Sequence, residues 1–560
     1  MSSKAQPRWR ARLATIATPS WRQPALLVLL GALGAGYWSC AASPPPPSSP
    51  PGDAAGSDPS GTYPAVDVAE RIAEANEPAP LLPVLNEEAL TARVAAQRRL
   101  LGGDLFEDVR GQPVPWISPQ DDLPPTDDTP AKAAADAASK LTTKSADDAL
   151  LDSLPGSSGL GAPGESTEGS RVNGNALGLF MPIEGATEGE PPLAHFYDAL
   201  RALRDGQDPD GKVRVLVYGG SHTDADVYPQ YIRTYLQERF GDGGHGFVHI
   251  AKPWRWYRHA DYWVEGVKYW KTEHAQRRKG RMDGLYGYMG TSLAAKSGRA
   301  FGRIHPRGGA VGSVHEVFFL RQPKGGKFRV LADGKALATV KTAADEFGPG
   351  YYRFVLPEGQ HDIEIDVLGS GEVRMFGMTI EREQPGVVVD TLGIGGTRAS
   401  NMLRWDLDIW ADNVAHREPD LVTFFYGTNE ATDVDQPIEV YENDLRAVLD
   451  RLAIVAPQAS CLLMGPGDFP RRQDDGTWTN RERIDQIIDV QRRVAADHGC
   501  GFWDTKAFMG GHLSMPMWAS AVPPMAKSDH IHFTKRGYVR IGMAVVDAMM
   551  VDFDGAEPGH

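Results

Sequence analysis

The stretch Val213–Asp226, VRVLVYGGSHTDAD, decides how this chain is read. Val213, Val215, Leu216 and Val217 form a short, nearly continuous apolar run. Such a run suits a strand buried on both faces, as in a parallel sheet covered by helices. Gly219 and Gly220 stop it abruptly, and Ser221 follows. The strand therefore presents a hydroxyl at its carboxyl end, the side on which open α/β sheets bind ligands. Gly-Gly-Ser is also a common loop. The serine counts as a nucleophile only if a base and oxyanion donors follow it.

The flanks fit the same reading. His195–Leu203 has an apolar face at Phe196, Leu200 and Leu203 and predicts a helix before the strand; Tyr228–Phe240 predicts one after it. From residue 384 the pattern resumes. Val387–Asp390 reads as a strand, followed by the turn Gly393-Ile394-Gly395-Gly396-Thr397, and Asn401–Val414 as a helix. Leu421–Tyr426 is a strand ending in Gly427-Thr428-Asn429-Glu430. Tyr441–Val455 and Arg481–Ala496 read as helices, with strands at Ser460–Met464 and Gly501–Trp503. A final helix has Thr534 as its N-cap and an apolar stripe at Tyr538, Ile541, Val545, Ala548 and Met549. Alternating strands and helices imply right-handed crossovers and a mostly parallel sheet.

Residues 311–383 differ. Short alternating runs such as Ile363, Ile365 and Val367 between Asp362, Glu364 and Asp366 have the period of half-buried strands. They predict a β-sandwich inserted into the α/β domain, either a sugar-binding module or an inert insertion that shapes the cleft. The preceding aromatic segment, with Trp254, Trp256, Tyr257, Tyr262 and Trp263, reads as core packing with sugar stacking as the minority use.

The strand ends together supply what acyl transfer needs. A serine hydroxyl requires an adjacent base. His532 can take the Ser221 proton, and Asp529, three residues earlier, can hold the imidazole tautomer and stabilise the imidazolium. The Ser221 and Gly396 backbone N–H groups and the Asn429 amide can form an oxyanion hole. Asp242, His245, His530 and Asp433 do not make a metal-ligand pattern, and no cofactor is expected. His222 and Asp224, beside the nucleophile, read as structural hydrogen-bond partners.

Gly-Gly-Ser-His, a glycine-rich turn, Gly-Thr-Asn-Glu and Asp-x-x-His, in that order, resemble the SGNH (GDSL) hydrolase family over roughly residues 190–552. The resemblance implies a flavodoxin-like three-layer α/β hydrolase domain, with Ser221, Gly396, Asn429 and His532 as the four name residues and Asp529 as the triad acid. Two positions depart from the family: Gly220 stands where Asp is usual, and Glu430 replaces the common Asp after the asparagine. The domain plan, the run Phe240–Phe247 and the block Tyr426–Glu430 are similar to bacterial peptidoglycan O-acetylesterases. That likeness implies a serine esterase acting on an O-acetylated glycan. The alternatives are a glycan O-acetyltransferase with the same triad and a catalytically silent glycan-binding envelope protein.

Composition sets the remaining bounds. A chain of 560 residues exceeds one ordinary domain. A formal net charge of −15 argues against nucleic acid as a partner. Residues 1–24 are basic and Ala25–Ser39 apolar, but that apolar stretch reaches only about 22 Å as a helix, against a hydrocarbon core of about 30 Å. An export signal is expected over 1–40. Cys40 at its end resembles a lipoprotein signal, although Tyr37-Trp38-Ser39 is a poor match; an uncleaved anchor is the alternative. Both place the protein in a bacterial cell envelope and give the membrane no other role. Residues 41–175, rich in Pro, Ala and Gly, predict a disordered linker with short helices at Val66–Ala75 and Asn86–Leu101. The hydrolase domain is expected over 176–310 and 384–552, with a tail at 553–560. Cys461 and Cys500 read as two buried thiols, a single disulfide being the alternative in an oxidising compartment. Oligomeric state has no signal in the sequence.

Overall fold

The structure, a computed structural model, describes residues 181–185, 191–276, 280–521 and 524–555. The expected export signal, Cys40 and the linker with its two short helices lie outside the described residues. Helix α1 (Ala194–Arg204) leads into strand β1 (Lys212–Gly219), short helix α2 (Ser221–Asp224) and helix α3 (Tyr228–Phe240). Strands then follow one another: β2 (Gly244–Val248), β3 (Tyr262–Glu265), β4 (Lys271–His274), β5 (Thr291–Ala295), β6 (Phe301–Pro306), β7 (Gly312–Arg321), β8 (Lys327–Ala332), β9 (Lys335–Lys341), β10 (Gly348–Gly359), β11 (Ile363–Val367) and β12 (Val373–Glu381). Alternation returns with β13 (Gly386–Gly393), α4 (Leu407–Arg417), β14 (Leu421–Phe425), α5 (Ile438–Val455) and β15 (Ser460–Met464). The hairpin β16 (Arg471–Arg472) and β17 (Trp478–Thr479) precedes α6 (Glu482–Asp497), β18 (Gly501–Trp503), α7 (Thr505–Met509), α8 (Ser514–Ser520) and α9 (Lys535–Gly555).

The central sheet has five strands in the order β13-β1-β14-β15-β18, and every pairing is parallel. This is the doubly wound order in which the first strand lies between the second and third. The two faces of β1 explain its continuous apolar run. Val213, Val215 and Val217 join a core with Phe196 and Leu200 of α1, Tyr231 and Ile232 of α3, and Ile541 and Val545 of α9. Leu216 and Tyr218 point the other way, toward Trp410 of α4, Val448 of α5 and Ile484 of α6. Burying such a side chain contributes about 1.5–3 kcal/mol, so a strand apolar on both sides is held from both layers. Because β1 has β13 on one side and β14 on the other, the chain reverses direction across the sheet here and opens a crevice at the strand ends.

The β-sandwich is larger than its alternating runs suggested. One sheet runs β3-β6-β11-β8-β9 and the other β10-β7-β12-β5-β4, with β2 also paired to β12. Its strands begin at Gly244, so the expected start at residue 311 is corrected. Strand β3, YWVE, alternates but has only four residues, and all five residues of β5, TSLAA, are buried, so neither offered a sustained period-2 pattern. In β11 the expected alternation holds, with Ile363, Ile365 and Val367 buried in the sandwich core. A buried ion cluster fixes the sandwich to the central sheet. Arg417 of α4 donates to Glu381 of β12 at 2.6 Å and to Asp390 of β13 at 2.9 Å, and Tyr288 donates to Asp390 at 3.1 Å.

Two further differences have local causes. The helix expected over Asn401–Val414 is split into a 3-10 turn, Ala399–Arg404, and α4. Asp406 starts α4 afresh, its side chain accepting the Ile409 N–H at 2.9 Å. Cys461 and Cys500 form a disulfide rather than two thiols, because parallel pairing of β15 with β18 brings them to a Cα separation of 4.8 Å.

Candidate active site

Three strand ends and one loop build the site. At the end of β1 the chain turns so sharply that a Cβ on Gly219 would meet Thr223 Oγ1 at 2.0 Å. Only glycine allows Ser221 to emerge there as the first residue of α2, where its N–H has no intrahelical acceptor. Beyond β13, Gly396 has φ +77°, the left-handed region that glycine occupies without strain. Gln276, after β4 of the sandwich, donates its side-chain N–H to the Gly396 carbonyl. Beyond β14, Asn429 Nδ2 donates to the Thr397 carbonyl at 2.9 Å. The same NH2 group carries a second proton.

His532 and Asp529 come from the loop before α9. The Asp529 carboxylate accepts the backbone N–H groups of Ile531 and His532, both at 2.9 Å, and its Oδ2 lies 2.8 Å from His532 Nδ1. His532 Nε2 lies 2.9 Å from Ser221 Oγ. Partial burial pushes the Asp529 carboxyl up, but the bonds from the His532 ring and from the two backbone N–H groups outweigh it and hold the acid well below the usual carboxylate range. The acid is therefore ionised wherever the imidazole needs a counter-charge. The side chains of His532 and Asp529 remain 34% and 44% exposed, so water reaches the pair. Thr534 accepts the Gly537 N–H at 3.2 Å and caps α9, which fixes the loop from its far end.

A buried layer lies behind Ser221 and His532. His222 is buried, stacks on Phe425 and bonds through Nδ1 to the Tyr538 hydroxyl at 3.0 Å. Burial, reinforced by the neighbouring His532, lowers its imidazole to about 3, so it is neutral in ordinary buffers. Asp224 accepts from Trp254 Nε1 at 3.1 Å, and burial pushes its carboxyl up to about 7. Both residues thus have the hydrogen-bond partners expected for structural roles.

Several residues hold the site through contacts that the sequence did not indicate. Glu430 is buried and its two oxygens accept from Ala399 N at 2.9 Å and Gly427 N at 3.0 Å, tying the two glycine-rich turns together. Arg398 pairs with Asp433 at 2.6 Å and donates to the Asn429 carbonyl at 3.2 Å. Trp478, on the β16–β17 hairpin, packs its ring 4.3 Å from that of His530. The position of Glu430 directly after Asn429 was the available signal; the others depend on contacts across loops. Asp242 and His245 sit elsewhere, paired with Arg382 and Asp261.

The chain matches the GDSL-like lipase/acylhydrolase family over residues 368–540. Gly396, Asn429, Asp529 and His532 fall within the match; Ser221 falls before it, cut off by the sandwich. The chain is similar in structure to a solved peptidoglycan O-acetylesterase, with TM-score 0.56 and 24% identity over 66% of this chain and 99% of that one. It also matches a family two carbohydrate esterase from Clostridium thermocellum, at 11% identity and TM-score 0.23 over 47% of this chain and 95% of that one. One from Cellvibrio japonicus matches at 12% identity and TM-score 0.22, over 52% and 98%. No curated protein matches in sequence.

Proposed function

We propose that this chain, a carboxylic-ester hydrolase by its GDSL-like lipase/acylhydrolase domain, removes O-acetyl groups from a cell-envelope glycan, peptidoglycan foremost, through a Ser–His–Asp acyl-enzyme. The observation that carries the reading is the unbroken relay from Asp529 through His532 to Ser221, with bonds of 2.8 and 2.9 Å.

Ser221 Oγ attacks the acetyl carbonyl as its proton passes to His532 Nε2, and Asp529 stabilises the imidazolium. The carbonyl oxygen becomes an oxyanion facing the Ser221 and Gly396 N–H groups and the Asn429 amide. Collapse expels the sugar hydroxyl, which takes the proton from His532. Water then gives its proton to His532, attacks the acetyl-serine and releases acetate, restoring Ser221. The His532 and Asp529 side chains are exposed enough for water to reach them as the acceptor.

Substrate class is supported by the structural likeness to a peptidoglycan O-acetylesterase. The sandwich segment borders the site itself, where Trp254 bonds to Asp224 and Gln276 to Gly396. The Cys461–Cys500 disulfide supports an exported protein, with Cys40 or the preceding apolar segment as its tether. The test is acetate release from O-acetylated peptidoglycan beside a small chromogenic acetate ester. Release from both is expected. Turnover of the small ester alone would discard the substrate, and acetylation of an added glycan acceptor beyond the acetate released would discard hydrolysis.

A further inference from the structure

The segment between β2 and β4 contains a second built site. A cavity of ≈ 150 Å³ is lined by Lys252, Arg255, Arg258 and Arg307, with Trp256 and His259 among its walls. Among the described residues, none that lines it is acidic. Four basic side chains line this one small cavity, with the Asp226 carboxylate 4.0 Å from His259 Nδ1.

His259 gives this cavity a direction. The residue is only 3% exposed. Its Nδ1 accepts the Asp261 backbone N–H at 3.1 Å, which leaves the ring proton on Nε2. That Nε2 has no hydrogen-bond partner among the described residues. A buried donor without an acceptor is costly, and the cavity that His259 lines is where an acceptor could be supplied. Burial lowers this imidazole to about 4 and keeps it a neutral donor, so the positive charge comes from the lysine and arginines. Trp256 is 66% exposed, with the Arg255 guanidinium 4.9 Å from its ring centroid. Cationic forks, a neutral buried N–H and an exposed indole suit a carboxylate carried on a sugar.

The segment is bonded to the nucleophile helix. Trp254 Nε1 donates to Asp224, and the Ala260 N–H donates to Asp226 Oδ2 at 2.7 Å. A glycan held in the cavity is therefore held on the same frame as Ser221.

We infer that the Lys252–Val264 segment forms a subsite for a carboxylate borne by the glycan, so that the enzyme selects saccharides with an acidic substituent. The inference deepens the esterase reading and rests on it for the word substrate. Carboxylate binding itself can be measured without turnover.

The experiment titrates the full chain with N-acetylmuramic acid and with N-acetylglucosamine, which lacks the lactyl carboxylate, and follows binding by calorimetry. The acidic sugar is expected to bind and the neutral one to bind at least about tenfold more weakly, with binding falling as salt rises. The double variant R255Q/R307Q is expected to lose on the order of tenfold in affinity for the acidic sugar. H259F, which keeps a ring and removes the donor, should weaken binding as well; thermal melts establish that both variants fold. Muramoyl dipeptide, whose lactyl carboxylate is amidated and whose charge lies on the peptide, separates two sources. Tighter binding than the free sugar assigns a peptide carboxylate, and weaker binding assigns the lactyl group. Equal affinity of the parent for the acidic and neutral sugars, or unchanged affinity in folded R255Q/R307Q, overturns the subsite. Absence of small-ester turnover by the parent would instead overturn the esterase reading and leave the binding result standing.

Discussion

His532 Nε2 lies 2.9 Å from Ser221 Oγ although 311 positions separate the two residues. The contact joins the end of β1 to the loop before α9 across the topological switch of the sheet. It exists because Asp529 spends one oxygen on two backbone N–H groups and the other on the imidazole. The bonds that shape the loop also form the proposed catalytic relay.

Asp529→Asn should therefore cost far more in turnover than in folding. The amide keeps an acceptor for the backbone but favours the wrong imidazole tautomer. A fall of about 10⁴-fold in kcat is expected, with little change in KM. Steady-state kinetics on a chromogenic acetate ester checks this, and a loss below tenfold would remove Asp529 from the relay.

Gly220 bears on the oxyanion hole. A Cβ there would meet Asn429 Nδ2 at 3.2 Å, so Gly220→Asp, the residue usual in the family, must push the amide by a few tenths of an ångström. We expect kcat to fall by about tenfold or more, in the direction of Asn429→Ala, for which 10²–10³-fold is the usual scale of a lost oxyanion donor. Measuring both variants on the same ester tests the arrangement. A Gly220→Asp enzyme as active as the parent would show that the Asn429 amide tolerates the carboxylate.

The parallel sheet was legible because each strand is buried on both faces and so reads as a continuous apolar run. Ser221, Gly396, Asn429 and the Asp529/His532 pair were legible because each follows such a run or precedes a capped helix. Strands β2 to β6 were not, since they are short and β5, TSLAA, fills its buried positions with small and hydroxyl-bearing residues rather than a large apolar run. Nor could spacing reveal that Trp254 reaches Asp224, or that Glu430 joins two turns, because those bonds depend on loop placement. Gly220 was read only as a departure from the family's usual Asp; the closeness of Asn429 to the space a side chain there would fill gives that departure a consequence.

The Cys461–Cys500 disulfide closes a loop with a sequence separation of 39. Loop-closure entropy for such a loop corresponds to about 4 kcal/mol. Cys500→Ala, or reduction, should lower the Tm by several degrees while small-ester turnover at low temperature persists, because the disulfide lies at the ends of β15 and β18 remote from the triad. Calorimetry with and without reductant decides it; an unchanged Tm would contradict the assignment.

His249 supplies a pH dependence. It is fully buried, both ring nitrogens lack partners among the described residues, and burial lowers its imidazole to about 3. Between about pH 3 and the unfolded value near 6.5, the unfolded chain binds a proton that the native chain does not, so stability rises with pH across that window and falls on acidification. The slope from one such group is at most about 1.4 kcal/mol per pH unit. In His249→Phe the loss of Tm between pH 7 and pH 5 should be smaller than in the parent. Parallel losses in the two proteins would count against a neutral, buried His249.

The most direct test of the account is hydrolysis of a small chromogenic acetate ester by the parent and by Ser221→Ala, since it depends on neither glycan nor tether. The account predicts turnover by the parent and a fall on the order of 10⁴-fold or more in the variant, with the fold retained. A Ser221→Ala protein that hydrolyses the ester at the parent's rate would contradict the central claim that Ser221 is the nucleophile.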